Sequence, residues 1–396
     1  MMNRRELLRA IGLTTVATQM PGLALASADT SARLVLVVLR GAVDGLALAA
    51  PYGDGDYRKV RGELALEEPG PGNGLLDLDG FFGLHPSLQH VHRLFVEEQA
   101  TIVHAVASPY RERSHFDGQD LLESGATKGG RLRDGWLNRA LAPIASNHEV
   151  AIALAQNTPL VLRGDNSVTS WAPSRLPDAD GSTIERLQRL YADDEFFATR
   201  LEQALNSQEI AADMSESNRQ RGNDMRQFEQ LMTSAARFLT AIDGPRIAVV
   251  ELGGWDTHAN QGAETGALAN RLAALDTGIA NLCSGLGDAW DDTAVAVVTE
   301  FGRTVHVNGT RGTDHGTGTA ALLLGGAVSG GNVIADWPGL GKGDLYAGRD
   351  LQPTTDLRSM FKGVLEHHLE LDSEFVENTV FPDSRIAPPL ENLIRS

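Results

Sequence analysis

Four runs of apolar, largely β-branched residues constrain this chain more than any other feature: "ARLVLVVLRGAVDG" (32–45), "ATIVHAVASP" (100–109), "RIAVVELGGWDTH" (246–258) and "TAVAVVTEFGR" (293–303). Within each run the apolar residues are consecutive rather than alternate. A strand wetted on one face alternates, so continuous apolarity means burial on both faces, as in a parallel sheet covered by helices. Helical periodicity fills the segments between, as in "HPSLQHVHRLFVEEQ" and "GALANRLAALDTGIANLCSGL". The pattern predicts an open, mostly parallel α/β sheet.

The residues just past these runs are of one chemical type: Asp44, His104, Asp256 with His258, and Glu300. Sites of open α/β sheets lie outside the carboxyl ends of the strands, so these side chains are expected to converge. A fifth stretch, "GTRGTDHGTGTAALLLGG", adds Asp314 and His315 in a glycine-rich loop. Asp256 and His258 are two apart, which in extended backbone puts them on one face, able to hold one ion. A mixed nitrogen and carboxylate set suits zinc first, with manganese or iron as alternatives, and does not suit calcium. Each residue also has an ordinary reading: Asp256 and Asp314 as turn formers, and Glu300 as the ion-pair partner of Arg303.

The stretch "SPYRERSHFDGQDLLESG" points to a different chemistry. Ser114 with Asp117 three residues on resembles a capping box and predicts a helix running to about Glu123. Beyond capping, the N–H groups at such a helix start attract phosphate or sulfate, and Arg111 and Arg113 add positive charge. A Ser114 hydroxyl beside a metal could act as a nucleophile, with His115 as ligand or acid/base group. His85 and His104 read as buried, hydrogen-bonded histidines, and His367 with His368 as structural or solvated ones; His306 has no case.

The chain has 396 residues, 42% hydrophobic and 22% charged, enough for one large α/β domain or two ordinary ones. Its net charge of −18 disfavours nucleic-acid partners. The segment from 1 to 28 has an Arg4-Arg5 pair, a modestly apolar stretch and Ala-x-Ala endings, and reads as a twin-arginine export signal. Export machinery is therefore an expected partner, and the periplasm or the exterior an expected location. The single cysteine, Cys283, rules out an intrachain disulfide. No later run approaches the roughly 20 apolar residues of a membrane span. Between about 159 and 243 the texture turns polar and helix-periodic, which predicts a helical insertion or cap.

With these residues in view, the chain resembles the family called domain-of-unknown-function 1501. The resemblance rests on an ordered set: "LRGAVDGL", "LHPSL", "RSHFDGQDLLESG", "GGWDTH", "TEFGRT", "DHGTGTA" and "DLRSMFKGVLEHHLEL". That family is similar to the alkaline-phosphatase and sulfatase superfamily, which implies a three-layer α/β/α sandwich and one or two divalent metals. By motif order the resemblance implies Asp44, Asp256, His258, Glu300 and His315 as ligands and Ser114 as nucleophile. Four departures stand against a full transfer: Asp-x-His replaces a longer spacing, Glu300 stands alone where a ligand pair is expected, the Ser114 nucleophile assignment lacks a diagnostic neighbour, and the formylglycine signature of sulfatases is absent. Two functions follow: an exported metal-dependent hydrolase of phosphate or sulfate esters on small molecules or polymers, or a non-catalytic periplasmic binding or assembly protein that keeps the fold.

Overall fold

A computed structural model describes residues 31–130, 132–144, 150–173, 181–191, 194–210 and 224–395; the expected export signal lies outside them. Among the described residues, nine strands form one sheet: β1 (Arg33–Leu39), β2 (Ala100–Ala107), β3 (Ala151–Ala153), β4 (Thr169–Ser170), β5 (Ile247–Leu252), β6 (Thr293–Thr299), β7 (Thr319–Leu324), β8 (Asn332–Ile334) and β9 (Thr355–Asp356). Their order is β8-β2-β7-β6-β1-β5-β3-β4, and β9 also pairs with β2. Only β7 is antiparallel to its neighbours, β2 and β6. The four apolar runs thus supply β1, β2, β5 and β6.

The helices used below are α1 (Gly45–Leu48), α2 (Gln89–Val96), α3 (His115–Ser124), α4 (Asp224–Thr240), α5 (Ala267–Leu286) and α6 (Leu357–His367). The central strand shows why its sequence does not alternate. Val35, Val37 and Leu39 face a core that includes Phe228 and Met232 of α4 and Leu272 and Leu275 of α5. Leu34, Leu36 and Val38 face the opposite core, with Trp136 and with Met360 and Phe361 of α6. Burying each such side chain contributes roughly 1.5–3 kcal/mol relative to exposure. A strand apolar on both faces is therefore most stable mid-sheet between two helical layers, which is the expected three-layer sandwich.

The expected insertion is only partly separate from this sandwich. Helices Gly181–Tyr191 and Glu195–Ile210 fall within it, but α4 is a core helix packed on α5, and β4 extends the sheet. The polar texture misled because α4 buries one face only: Phe228, Leu231, Met232, Ala235 and Leu239 recur at helical spacing. No helix among the described residues is long and apolar enough to cross a membrane.

This topology positions the site. The carboxyl ends of β1, β2, β5 and β6 open on one edge of the sheet. Because β7 runs the other way, its amino end lies at that same edge and brings the glycine-rich loop with it.

Candidate metal centre

His115 opens α3, past the end of β2; Asp256 and His258 follow β5, and His315 precedes β7. Their side chains meet. His315 Nε2 is 3.0 Å from His115 Nε2 and 3.0 Å from His258 Nε2. The Asp256 carboxylate joins them: Oδ1 lies 3.0 Å from His258 Nε2 and 3.2 Å from His315 Nε2, and Oδ2 lies 3.5 Å from His115 Nε2. His115, His315, His258 and Asp256 have side chains 25%, 25%, 45% and 39% exposed, so the cluster reaches solvent.

The other ring nitrogen decides what these contacts are. His115 Nδ1 is 2.8 Å from Glu300 Oε1, His258 Nδ1 is 3.1 Å from Asp314 Oδ1, and His315 Nδ1 is 2.9 Å from the carbonyl oxygen of Arg113. A carbonyl oxygen can only accept, so His315 Nδ1 carries its proton. Both carboxyls are ionised acceptors. Burial pulls Glu300 up, but hydrogen bonds from His115, Gln119 and Thr299 hold it below its usual range. Asn308 draws Asp314 down against a smaller effect of burial, with His258 helping. With every Nδ1 so engaged, the three rings turn their Nε2 atoms toward one another and toward a carboxylate. Such an arrangement repels itself unless a cation lies between.

The donor set fits a metal. Donors about 2.1 Å from a tetrahedral zinc stand about 3.4 Å from one another, close to the separations here. His115, Asp256 and His315 have ligand atoms all within 4.8 Å of one another, and His258 stands beside this triad, in contact with His315 and Asp256. Shifts in the free groups follow the crowding. Glu300 raises His115 more than burial lowers it. Burial lowers His315, with His115 adding to that effect. Burial raises Asp256, but Arg303 and the two nearby histidines outweigh it and hold the carboxyl low.

The structure brings together most of the expected residues, in two different positions. Glu300 and Asp314, expected as ligands, sit behind the rings and orient His115 and His258 instead. Glu300 is fully buried and also accepts from the Gly41 amide at 2.9 Å, Gln119 at 3.2 Å and the Thr299 hydroxyl at 2.9 Å. Arg303 pairs not with Glu300 but with Asp256. Asp44 does not join the cluster. It is buried against Arg61, and Gln261 donates to the same carboxylate at 2.6 Å. Gln261 in turn accepts from Thr257 and Thr313, and Thr313 accepts from Arg303, so Asp44 reaches the site only through a chain of hydrogen bonds.

Ser114 is the N-cap residue of α3, yet its side chain makes no capping hydrogen bond, contrary to the capping-box expectation. The guanidinium of Arg113 is held by Asp350 at 2.7 Å, and that of Arg111 by the Ser108 and Tyr110 carbonyls. Both arginines are thus committed within the protein. His85 and His104 are buried and bonded to the Ala263 and Ala49 carbonyls, and burial lowers His104 to about 4. His368 donates to the Arg33 carbonyl and His367 pairs with Glu391. Cys283 is half-buried on α5.

A sequence model of the family described as "Protein of unknown function (DUF1501)" matches residues 31–380. The chain belongs to this family. The DUF1501 match spans every residue of the cluster. Comparison with curated proteins gives no match. Among solved structures, the chain is similar to murine ectonucleotide pyrophosphatase / phosphodiesterase 5, at 10% identity over 68% of this chain and 57% of that one, with a TM-score of 0.33. It is similar to phosphonate monoester hydrolase of Agrobacterium radiobacter, at 12% identity over 84% and 73%, with a TM-score of 0.35. The C-terminal periplasmic domain of Escherichia coli EcEptC, in complex with Zn, matches at 10% identity over 75% and 73%, with a TM-score of 0.34. This DUF1501 chain thus spans little more than half the length of the first of these. Likeness this loose places no residue, and the centre rests on its own side chains.

Proposed function

We propose that this DUF1501 protein is an exported, metal-dependent hydrolase of phosphate or sulfate esters. One observation carries the reading: three histidine Nε2 atoms and the Asp256 carboxylate converge at a solvent-open sheet edge, each ring held by an oxygen at Nδ1. His115, His315 and Asp256 would hold the ion, zinc by its donor set, and leave a position open for substrate or water. When bound, such an ion polarises an ester oxygen and favours ionisation of a nearby hydroxyl or water. Around it, Ser114 stands at the start of α3 with its side chain uncommitted to the cap, so the first amides of α3 can receive ester oxygens. Arg303, anchored by Thr313, keeps Asp256 ionised and aimed at the centre. The expectation of export rests on the arginine pair and cleavage sites before residue 29.

A panel of aryl phosphate monoesters, diesters and sulfates, assayed with zinc, manganese and iron, tests the reading. Turnover lost in His315→Ala supports it; no turnover with any metal overturns it. Loss of activity in Ser114→Ala with metal retained assigns the nucleophile to Ser114, and full activity assigns it to water.

A second reading has one observation in its favour. His258 touches both His315 and Asp256, and were it to join the triad, four protein donors would close a tetrahedral shell, the mark of a structural ion. A non-catalytic periplasmic binding or assembly protein would then bind the metal and turn over nothing in the panel.

A further inference from the structure

The third ring is held differently from the other two. His115 and His258 lean on carboxylates, whereas His315 donates to a backbone carbonyl, that of Arg113. A carbonyl belongs to no particular side chain, so something else must fix where it points. Arg113 has φ +66, in the left-handed region that a non-glycine residue rarely adopts. Such a conformation persists only if its surroundings impose it.

Asp350 imposes it. Its Oδ2 accepts a hydrogen bond from Arg113 Nε at 2.7 Å and forms an ion pair with Nη2 at 2.7 Å, which anchors the guanidinium. Asp350 is fully buried, and its Oδ1 has no hydrogen-bond partner among the described residues. A buried carboxylate with one oxygen unsatisfied is expensive to keep for stability alone. The adjacent residue holds the backbone of His315: Arg349 Nη2 donates to the His315 carbonyl at 2.7 Å. The Thr304–Asp350 bridge ties this pair to the segment that follows Arg303.

Resting on the metal-site reading above, we propose that Asp350 is a positioning residue of the centre. Through Arg113 it sets the carbonyl that keeps His315 protonated at Nδ1 and leaves Nε2 as donor, while Arg349 fixes the loop that carries the ring. The Arg113 side chain serves this clamp rather than a substrate anion.

The test is Asp350→Asn in the full chain, read in two ways. Side-chain nitrogen NMR of His315 in metal-free protein reports the tautomer, and zinc competition titration reports affinity. The clamp predicts an Nδ1–H ring in the wild type, mixed tautomers in the variant, and zinc binding weakened about 10- to 100-fold. An unchanged tautomer and unchanged affinity in folded Asp350→Asn would overturn it. Should that variant fail to fold, Arg113→Lys, which keeps charge but loses the planar fork, must show the same two changes or the proposal falls. A wild type that binds no zinc would remove the metal reading, whereas the tautomer comparison in metal-free protein still decides the clamp.

Discussion

Each histidine of the cluster receives its orientation from an oxygen far away in sequence, and this makes individual substitutions informative. Glu300 holds His115 across 185 positions, and Arg113 holds His315 across 202. Replacing Glu300 by Gln removes the charge behind His115 while keeping its shape. Zinc affinity should fall about 10- to 100-fold, measured by competition with a chromophoric chelator. The pH dependence carries a sign. The Glu300 bond raises His115 above the ordinary imidazole value near 6.5, against burial, so a proton competes with metal from a higher pH than usual. Wild-type affinity should drop as pH falls through that raised value. In Glu300→Gln the drop should shift to lower pH; an unmoved profile would show that Glu300 does not act through His115.

At the scale of elements, the turns after the strands set how closely the ligand-bearing loops approach. Gly41, just past β1, has φ +119 and donates its amide to Glu300; a Cβ there would stand 2.7 Å from the Asp256 amide nitrogen. Gly41→Ala should therefore cost about 1–3 kcal/mol in thermal unfolding and weaken zinc binding as well. Gly55, where an added Cβ would meet nothing within 4 Å, is the control, and its alanine variant should change stability by less than about 0.5 kcal/mol. Helix α3 seats closely too, because Gly118 lets it lie on Phe301, whose ring stacks on His115 with centroids 5.0 Å apart. The strands and the loops after them were legible in the sequence, since burial on both faces leaves a local signature. The division of labour was not. Whether Glu300 or Asp314 faces an ion or the back of a ring depends on which nitrogen it meets, and no spacing encodes that. Nor does sequence reveal Asp350, which acts through a carbonyl that any residue at position 113 would possess.

Across the whole molecule, one sheet edge gathers side chains from β2, β5, β6 and β7 into a single centre, while β1 contributes a buried anchor. Asp44 shows the limit of motif order. Its position after the first strand was legible, but its partners Arg61 and Gln261 were not, Gln261 being 217 residues away. The guanidinium supplies positive charge at Asp44, so the proposed centre calls for one ion per chain rather than two. Asp44→Asn should keep that metal yet lose about 3–5 kcal/mol of stability, because it leaves Arg61 buried without its counter-charge. Elemental mass spectrometry of purified wild type, His315→Ala and Asp44→Asn tests the metal centre most directly. The expected result is about one zinc per chain in the wild type and in Asp44→Asn, and none in His315→Ala. No metal in the wild type even after reconstitution, or full occupancy in His315→Ala, would contradict it.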